Sequence, residues 1–131
     1  MHTQAMNPWT WQDQYGYSQA VEVSGATRQL LCAGQTSVDE QGNPVHAGDM
    51  AAQLAQALDN LAAVLAKAGM GFANVVRLNF YTTDIAAYFA ASAVVARRFE
   101  TVGVKPAGTL LAVAGLFHPD ILIEIEATAV A

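Results

Sequence analysis

Glu124 and Glu126 stand two residues apart in the last apolar run of the chain, Ile-Leu-Ile-Glu-Ile-Glu-Ala-Thr-Ala-Val over 121–130. Side chains alternate across a strand, so Ile121, Ile123, Ile125, Ala127 and Ala129 share one apolar face. Both carboxylates fall on the other face, about 7 Å apart, flanked by Leu122 and Val130. A carboxylate under partial cover is costly unless it is paired, hydrogen-bonded or protonated, and such groups gather at functional sites. A solvated outer face is the commoner setting for a strand glutamate, and the residues alone leave both readings open. The chemistry on offer is activation of a water by a carboxylate. His46 and His118 fall in turn sequences and read as surface residues. Cys32 is the single cysteine, so neither an intramolecular disulfide nor a cysteine metal cluster is expected. No cofactor motif is visible, and neither a cofactor nor a metal is expected.

The elements that must position these groups follow from period and punctuation. Residues 1–14 read as a polar, irregular N-terminal arm, with Trp9 and Trp11 expected to pack back on the body or on a neighbouring subunit. Residues 15–131 read as one domain. Tyr17 to Val23 alternates like a strand, Ser24-Gly25-Ala26-Thr27 is turn chemistry, and Gln29 to Ala33 reads as the returning strand of a hairpin. Gly34 interrupts it, suggesting a bulge or a close backbone approach. Asp49 is a good N-cap for a helix with Met50, Leu54, Ala57, Leu58, Leu61, Val64 and Leu65 on its apolar side. Gln53, Gln56, Asp59, Asn60 and Lys67 fall opposite, and Gly69 closes it. Val75 to Thr82 is a strand with Val76, Leu78 and Phe80 on one face and Arg77, Asn79 and Tyr81 on the other. Asp84 caps a second helix with Ile85, Tyr88, Phe89, Ser92, Val95, Ala96 and Phe99 inward; Ser92 is expected to bond a carbonyl four residues back. Thr109 to Ala114 precedes the last strand. The expected fold is α+β: a two-layer sandwich of a mixed six-stranded sheet with two helices on one face.

Composition limits the function. Of 131 residues 53% are hydrophobic and 13% charged, against roughly 25% charged in an average soluble domain. So little charge suggests that surface is hidden in an oligomer. A net charge of −5 with only six Lys and Arg argues against a nucleic-acid partner, which needs a basic stripe. No apolar run is long enough to cross a bilayer, so no membrane partner is expected. The N-terminus lacks the layout of a signal peptide, and a cytoplasmic location fits.

Tyr17, Ala33-Gly34-Gln35, Asp59-Asn60-Leu61, Gly69, Thr83-Asp84, Pro106-Ala107 and Ile123-Glu124-Ile125-Glu126-Ala127 resemble the RidA/YjgF family, also called endoribonuclease L-PSP. The similarity spans residues 15–130 in order. It implies a chorismate-mutase-like fold, a homotrimer, small-molecule sites in clefts between subunits and, for the best-known branch, hydrolysis of enamines and imines to 2-keto acids and ammonia. By the same resemblance, Glu124 corresponds to the glutamate that positions or activates the attacking water. Tyr17 corresponds to the tyrosine closing the pocket, and Gly34 to the loop facing the ligand. The departures are specific. Ala33 stands for a serine, Ser92 for an asparagine, Leu110 for a cysteine, and Gly108 for the arginine that clamps the substrate carboxylate.

A bidentate arginine–carboxylate contact in a dry pocket contributes about 2–4 kcal/mol, roughly 30- to 1,000-fold in binding or rate, and glycine cannot supply it. Arg77 is the nearest substitute by strand face, although an ion pair with Glu126 or Glu124 is its expected role. These residues therefore predict a hydrolase or deaminase of a labile C–N bond other than the standard 2-imino acid, with Glu124 as base. A non-catalytic trimer that binds a small ligand is the alternative, and RNA cleavage ranks last.

Overall fold

A computed structural model describes all 131 residues, Met1–Ala131. The strands are β1 (His2–Ala5), β2 (Val21–Ser24), β3 (Gln29–Leu31), β4 (Val75–Thr82), β5 (Leu110–Ala112) and β6 (Ile123–Val130), and the helices α1 (Met50–Lys67), α2 (Ile85–Ala91) and α3 (Ala93–Glu100). This is an α+β fold with a mixed sheet, but the strands do not form one six-stranded sheet. Four make the main sheet, in the order β3-β6-β4-β5, and β1 pairs with β2 in a separate ribbon.

β6 is central, antiparallel to both β3 and β4, and β5 joins the far edge of β4 in parallel. The alternation written into β6 is realised: Ile123, Ile125, Ala127 and Ala129 are buried, while Glu124, Glu126 and Thr128 are half-buried on the other face. α1 lays Leu54, Ala57, Leu58, Leu61 and Leu65 onto that apolar face, all fully buried. Burying a leucine side chain contributes about 1.5–3 kcal/mol, so this layer is the main source of stability. α1 begins at Asp49, whose carboxylate accepts from Ala52 N at 3.0 Å. It ends in a Schellman turn, with Met70 N on Leu65 O and Gly69 N on Ala66 O, both at 2.9 Å. Gly69 takes φ +69°, which the turn requires.

Several expectations of local structure are revised. The hairpin between residues 17 and 33 does not form. The chain leaving the 24–27 turn pairs instead with the C-terminal end, Arg28 and Ala131 exchanging backbone hydrogen bonds, because the free edge of β6 needs a partner more than short β2 does. β2 pairs with His2–Ala5, so part of the arm read as irregular is a strand. Trp9 and Trp11 stack on one another at 6.4 Å and remain more than half exposed. The second helix is interrupted at Ser92, whose hydroxyl donates to the Phe89 carbonyl three residues back at 3.0 Å, giving three helices rather than two. Phe89 and Ala96 accordingly lie exposed instead of inward. In β4 a bulge between Val75 and Arg77 sets Val75, not Val76, against Ala129 on the core side.

Gln53 is also misplaced by simple periodicity. It is completely buried, and its amide donates to the carbonyls of His46 and Asp120 at 3.1 and 2.7 Å while its Oε1 accepts from Leu122 N at 2.9 Å. One side chain thereby pins the helix start to the loop that feeds β6. Gln53→Met preserves volume but strands buried backbone groups, each at about 1–3 kcal/mol. The expected outcome is a loss of about 2–4 kcal/mol, seen as a lower urea midpoint with unchanged slope.

Candidate functional site

The helices cover one face of the sheet and leave the other open. On that open face the register sets Tyr81 opposite Glu124, Asn79 opposite Glu126 and Arg77 opposite Thr128. The two glutamates then diverge. Glu126 accepts a hydrogen bond from the Tyr81 hydroxyl and another from the Asn79 amide at 3.1 Å. Asn79 is itself oriented by Thr109 N, which donates to its Oδ1 at 3.1 Å. Glu124 takes part in no side-chain hydrogen bond and no ion pair.

The position of Glu124 depends on the chain facing β6. Cys32 N bonds Ala127 O at 2.9 Å, and Gln35 exchanges backbone hydrogen bonds with Ile125 at 2.7 and 2.9 Å. Ala33 and Gly34 therefore oppose the single residue Glu126, which is the bulge expected at the glycine. A Cβ on Gly34 would lie 2.2 Å from Glu124 Oε1 and 2.8 Å from its Cγ. The glutamate side chain rests in the space a side chain at 34 would fill. α1 holds this loop in place: the Asn60 amide donates to Thr36 O and Val38 O at 2.9 and 3.0 Å.

Two depressions adjoin along this face. One of about 350 Å³ is lined by Gly34, Tyr81, Glu124, Glu126 and the loop after β5 at Val113 and Leu116. The second, about 240 Å³, is lined by Cys32, Arg77, Asn79, Glu126 and Thr128. Glu126 is the wall between them.

The remaining sequence-selected residues scatter. Leu110 pairs with Phe80 and packs toward the core, not into the cavity wall. Ser92 sits in the helix layer, across the sheet from Glu124. Tyr17 lies edge-on to Trp11 at 6.2 Å, and Ala33 is exposed beside Gly34; neither lines the two depressions. Gly108 is packed so closely on β4 that a Cβ there would stand 1.9 Å from the Leu78 carbonyl oxygen. Arg77 is exposed and forms no ion pair, so the expected pairing with Glu126 or Glu124 is absent. One chain brings together Glu124, Gly34 and, next door, Arg77. It does not bring Tyr17 or Ser92 to them. Tyr81 and Asn79 were overlooked as site residues, although their alternation with Arg77 on one strand face was the available signal.

The Tyr81 and Asn79 hydrogen bonds hold the Glu126 carboxyl below the ordinary 4.5, helped by Arg77 against the opposing effect of burial. The same bond from Tyr81, then desolvation and the charges of Glu126 and Glu124, push the Tyr81 hydroxyl above 10.0. Glu126 thus stabilises the fold above its unfolded value and loses that contribution as pH falls through its lowered one. Tyr81 stabilises below 10.0 and loses its contribution as pH rises through the raised value. Tyr81→Phe should lower stability in the neutral range and flatten its fall as pH drops below 4.5. Chemical denaturation at a series of pH values measures both.

Residues 11–131 match the family described as Endoribonuclease L-PSP. A RutC family protein of Synechocystis is 35% identical over 115 residues, covering 87% of this chain and 85% of the relative. Among solved structures, the Rid-family protein YyfB of Yersinia pestis shares 38% identity, with each chain fully covered and a TM-score of 0.88. Escherichia coli TdcF with bound serine is 26% identical with a TM-score of 0.71, covering 88% of this chain and 87% of its own. With its fold and its sequence in agreement with these relatives, the chain is a member of the endoribonuclease L-PSP family, the RidA/YjgF group.

Proposed function

We propose that this RidA-like protein hydrolyses a labile imine or enamine, with Glu124 activating the attacking water. The observation that carries this reading is the asymmetry of the two carboxylates. Glu126 is occupied by Tyr81 and Asn79, whereas Glu124 has no protein partner and stands at the rim of a 350 Å³ depression. A free carboxylate beside a glycine backbone can hold a water and take its proton. The oxygen adds to the C=N carbon, the nitrogen gains a proton, and the carbinolamine collapses to a carbonyl with release of ammonia. Water is thereby consumed and one C–N bond is replaced by C=O. Such bonds hydrolyse readily, so positioning carries most of the rate. Two carboxylates at this depression also favour a protonated, cationic C=N over an anionic group, which agrees with the absence of an arginine at 108.

A second copy of the chain completes the site in this reading. The support is that Tyr17 and Ser92, which the resemblance assigns to the pocket, lie away from Glu124 within one chain, and that the open sheet face carries exposed Leu31 and Leu111. Light scattering at micromolar concentration should give about three times 13.8 kDa. A stable monomer would remove the support for a shared cleft. A non-catalytic trimer that binds a small ligand is the competing reading, favoured by Gly108.

Ammonia release from imines that lack a carboxylate on the C=N carbon, generated in situ from primary amines by a flavin amine oxidase, separates the two. Glu124→Gln should reduce the enzymatic rate by about 10²-fold or more, the range of one positioned base. Gly34→Ala, which displaces the Glu124 side chain, should lower it by about 10-fold with little loss of stability. Rates equal to the buffer background for wild type and both variants would leave only ligand binding.

A further inference from the structure

Five of the six basic side chains lie away from the two depressions. Arg28 donates to Ala68 O at 2.5 Å, Lys67 and Arg97 lie in the last turns of α1 and α3, Arg98 pairs with Asp59 at 2.7 Å, and Lys105 approaches Asp13 at 3.9 Å. Arg77 is different. It is exposed on the same sheet face as Glu124, lines the 240 Å³ depression, and makes neither a hydrogen bond nor an ion pair. It also neighbours the segment that lacks the family's clamp: Arg77 pairs in parallel with Ala107, and Leu78 N bonds Ala107 O at 2.9 Å. Position 108 itself cannot take over, because its Cβ would meet the Leu78 carbonyl.

Along this face the charges are ordered. Glu124 is free at one end, Glu126 is satisfied in the middle by Tyr81 and Asn79, and Arg77 is free at the other end. Glu124 and Thr128, the residue opposite Arg77, are four residues apart, so the two stems are about 13 Å apart along the strand. A 2-imino acid has its carboxylate on the C=N carbon itself and cannot reach both. We propose that Arg77 anchors a carboxylate set several bonds away from the C=N group, so that the site takes acids whose imine or enamine is distal. This rests on the reading of Glu124 as the group facing the C=N carbon. With both long side chains leaning together, the gap suits a chain of about four to six carbons between the ends. A guanidinium binds carboxylate through paired N–H donors, which makes Arg77 a specificity-determining residue and not a catalytic one.

A stable stand-in is 5-aminovalerate, whose ammonium takes the place of the protonated C=N and whose carboxylate is the distal acid. Calorimetric titration into wild type should show binding, with pentanoate and 1-aminopentane both at least 10-fold weaker. Arg77→Met should weaken 5-aminovalerate by at least 10-fold while leaving 1-aminopentane unchanged, and Arg77→Lys should recover part of the loss. In turnover, Arg77→Met should raise KM for a distal imino acid and leave kcat unchanged. Binding of 5-aminovalerate by Arg77→Met as tight as by wild type, or no binding by wild type, would overturn the inference. Binding that depends on Arg77 with no hydrolysis of any imine would support the anchor and defeat the hydrolase reading alone. Hydrolysis that depends on Glu124 but has the same KM in Arg77→Met would do the reverse.

Discussion

Two carboxylates on neighbouring same-face positions of one strand repel each other and need separate solutions, and the open face of this molecule is arranged around that requirement. Glu126 receives two donors from β4, the Tyr81 hydroxyl and the Asn79 amide. Asn79 is in turn fixed by the backbone that leads into β5. With Glu126 satisfied, Glu124 is left without a side-chain partner, turned toward Gly34. The β4–β6 register is therefore more than a stability feature. A slip of one residue would send both glutamates into the core and bring their isoleucine neighbours out.

What the sequence made legible follows from what is local. The boundaries of α1 were readable because Asp49 and Gly69 act on groups a few residues away. The inward set of β6 was readable because its alternation is strict. Gln53 was not, since its three partners come from loops near residues 46 and 120 that only the fold brings to the helix start. The pairing of β3 with β6 instead of β2 was hidden for the same reason: edge choice is a tertiary matter, and short runs of similar strand character do not encode it. Within the site, strand alternation put Arg77, Asn79, Tyr81, Glu124 and Glu126 on one face correctly. Which glutamate would be free depended on cross-strand register, and the bulge after Val75 kept that from being counted off by eye.

The two glycines of the site show how the same residue type serves opposite ends. At Gly34 the missing Cβ makes room for the Glu124 side chain, in a bulge clamped from behind by Asn60. At Gly108 the missing Cβ makes room for the backbone of β4 itself. The first contact involves the end of a flexible glutamate and can give way. The second is backbone against backbone and cannot give way without moving β4, which also carries Asn79 and Tyr81.

That difference bears on how this chain departs from relatives with an arginine after Pro-Ala. Had residue 108 simply lost a side chain, the vacant space would remain and an arginine could be restored. Instead the segment has closed on β4 through the hydrogen bonds from Ala107 N to Val76 O and from Leu78 N to Ala107 O, at 3.0 and 2.9 Å. At position 108 the absence of a side chain and the tight strand pairing go together. The cation that remains, Arg77, is displaced along β4 and unpaired. Glu124 and Arg77 thus stand toward opposite ends of the open face, and in the reading proposed above such an extended charge pair selects ligands by the distance between their own charges.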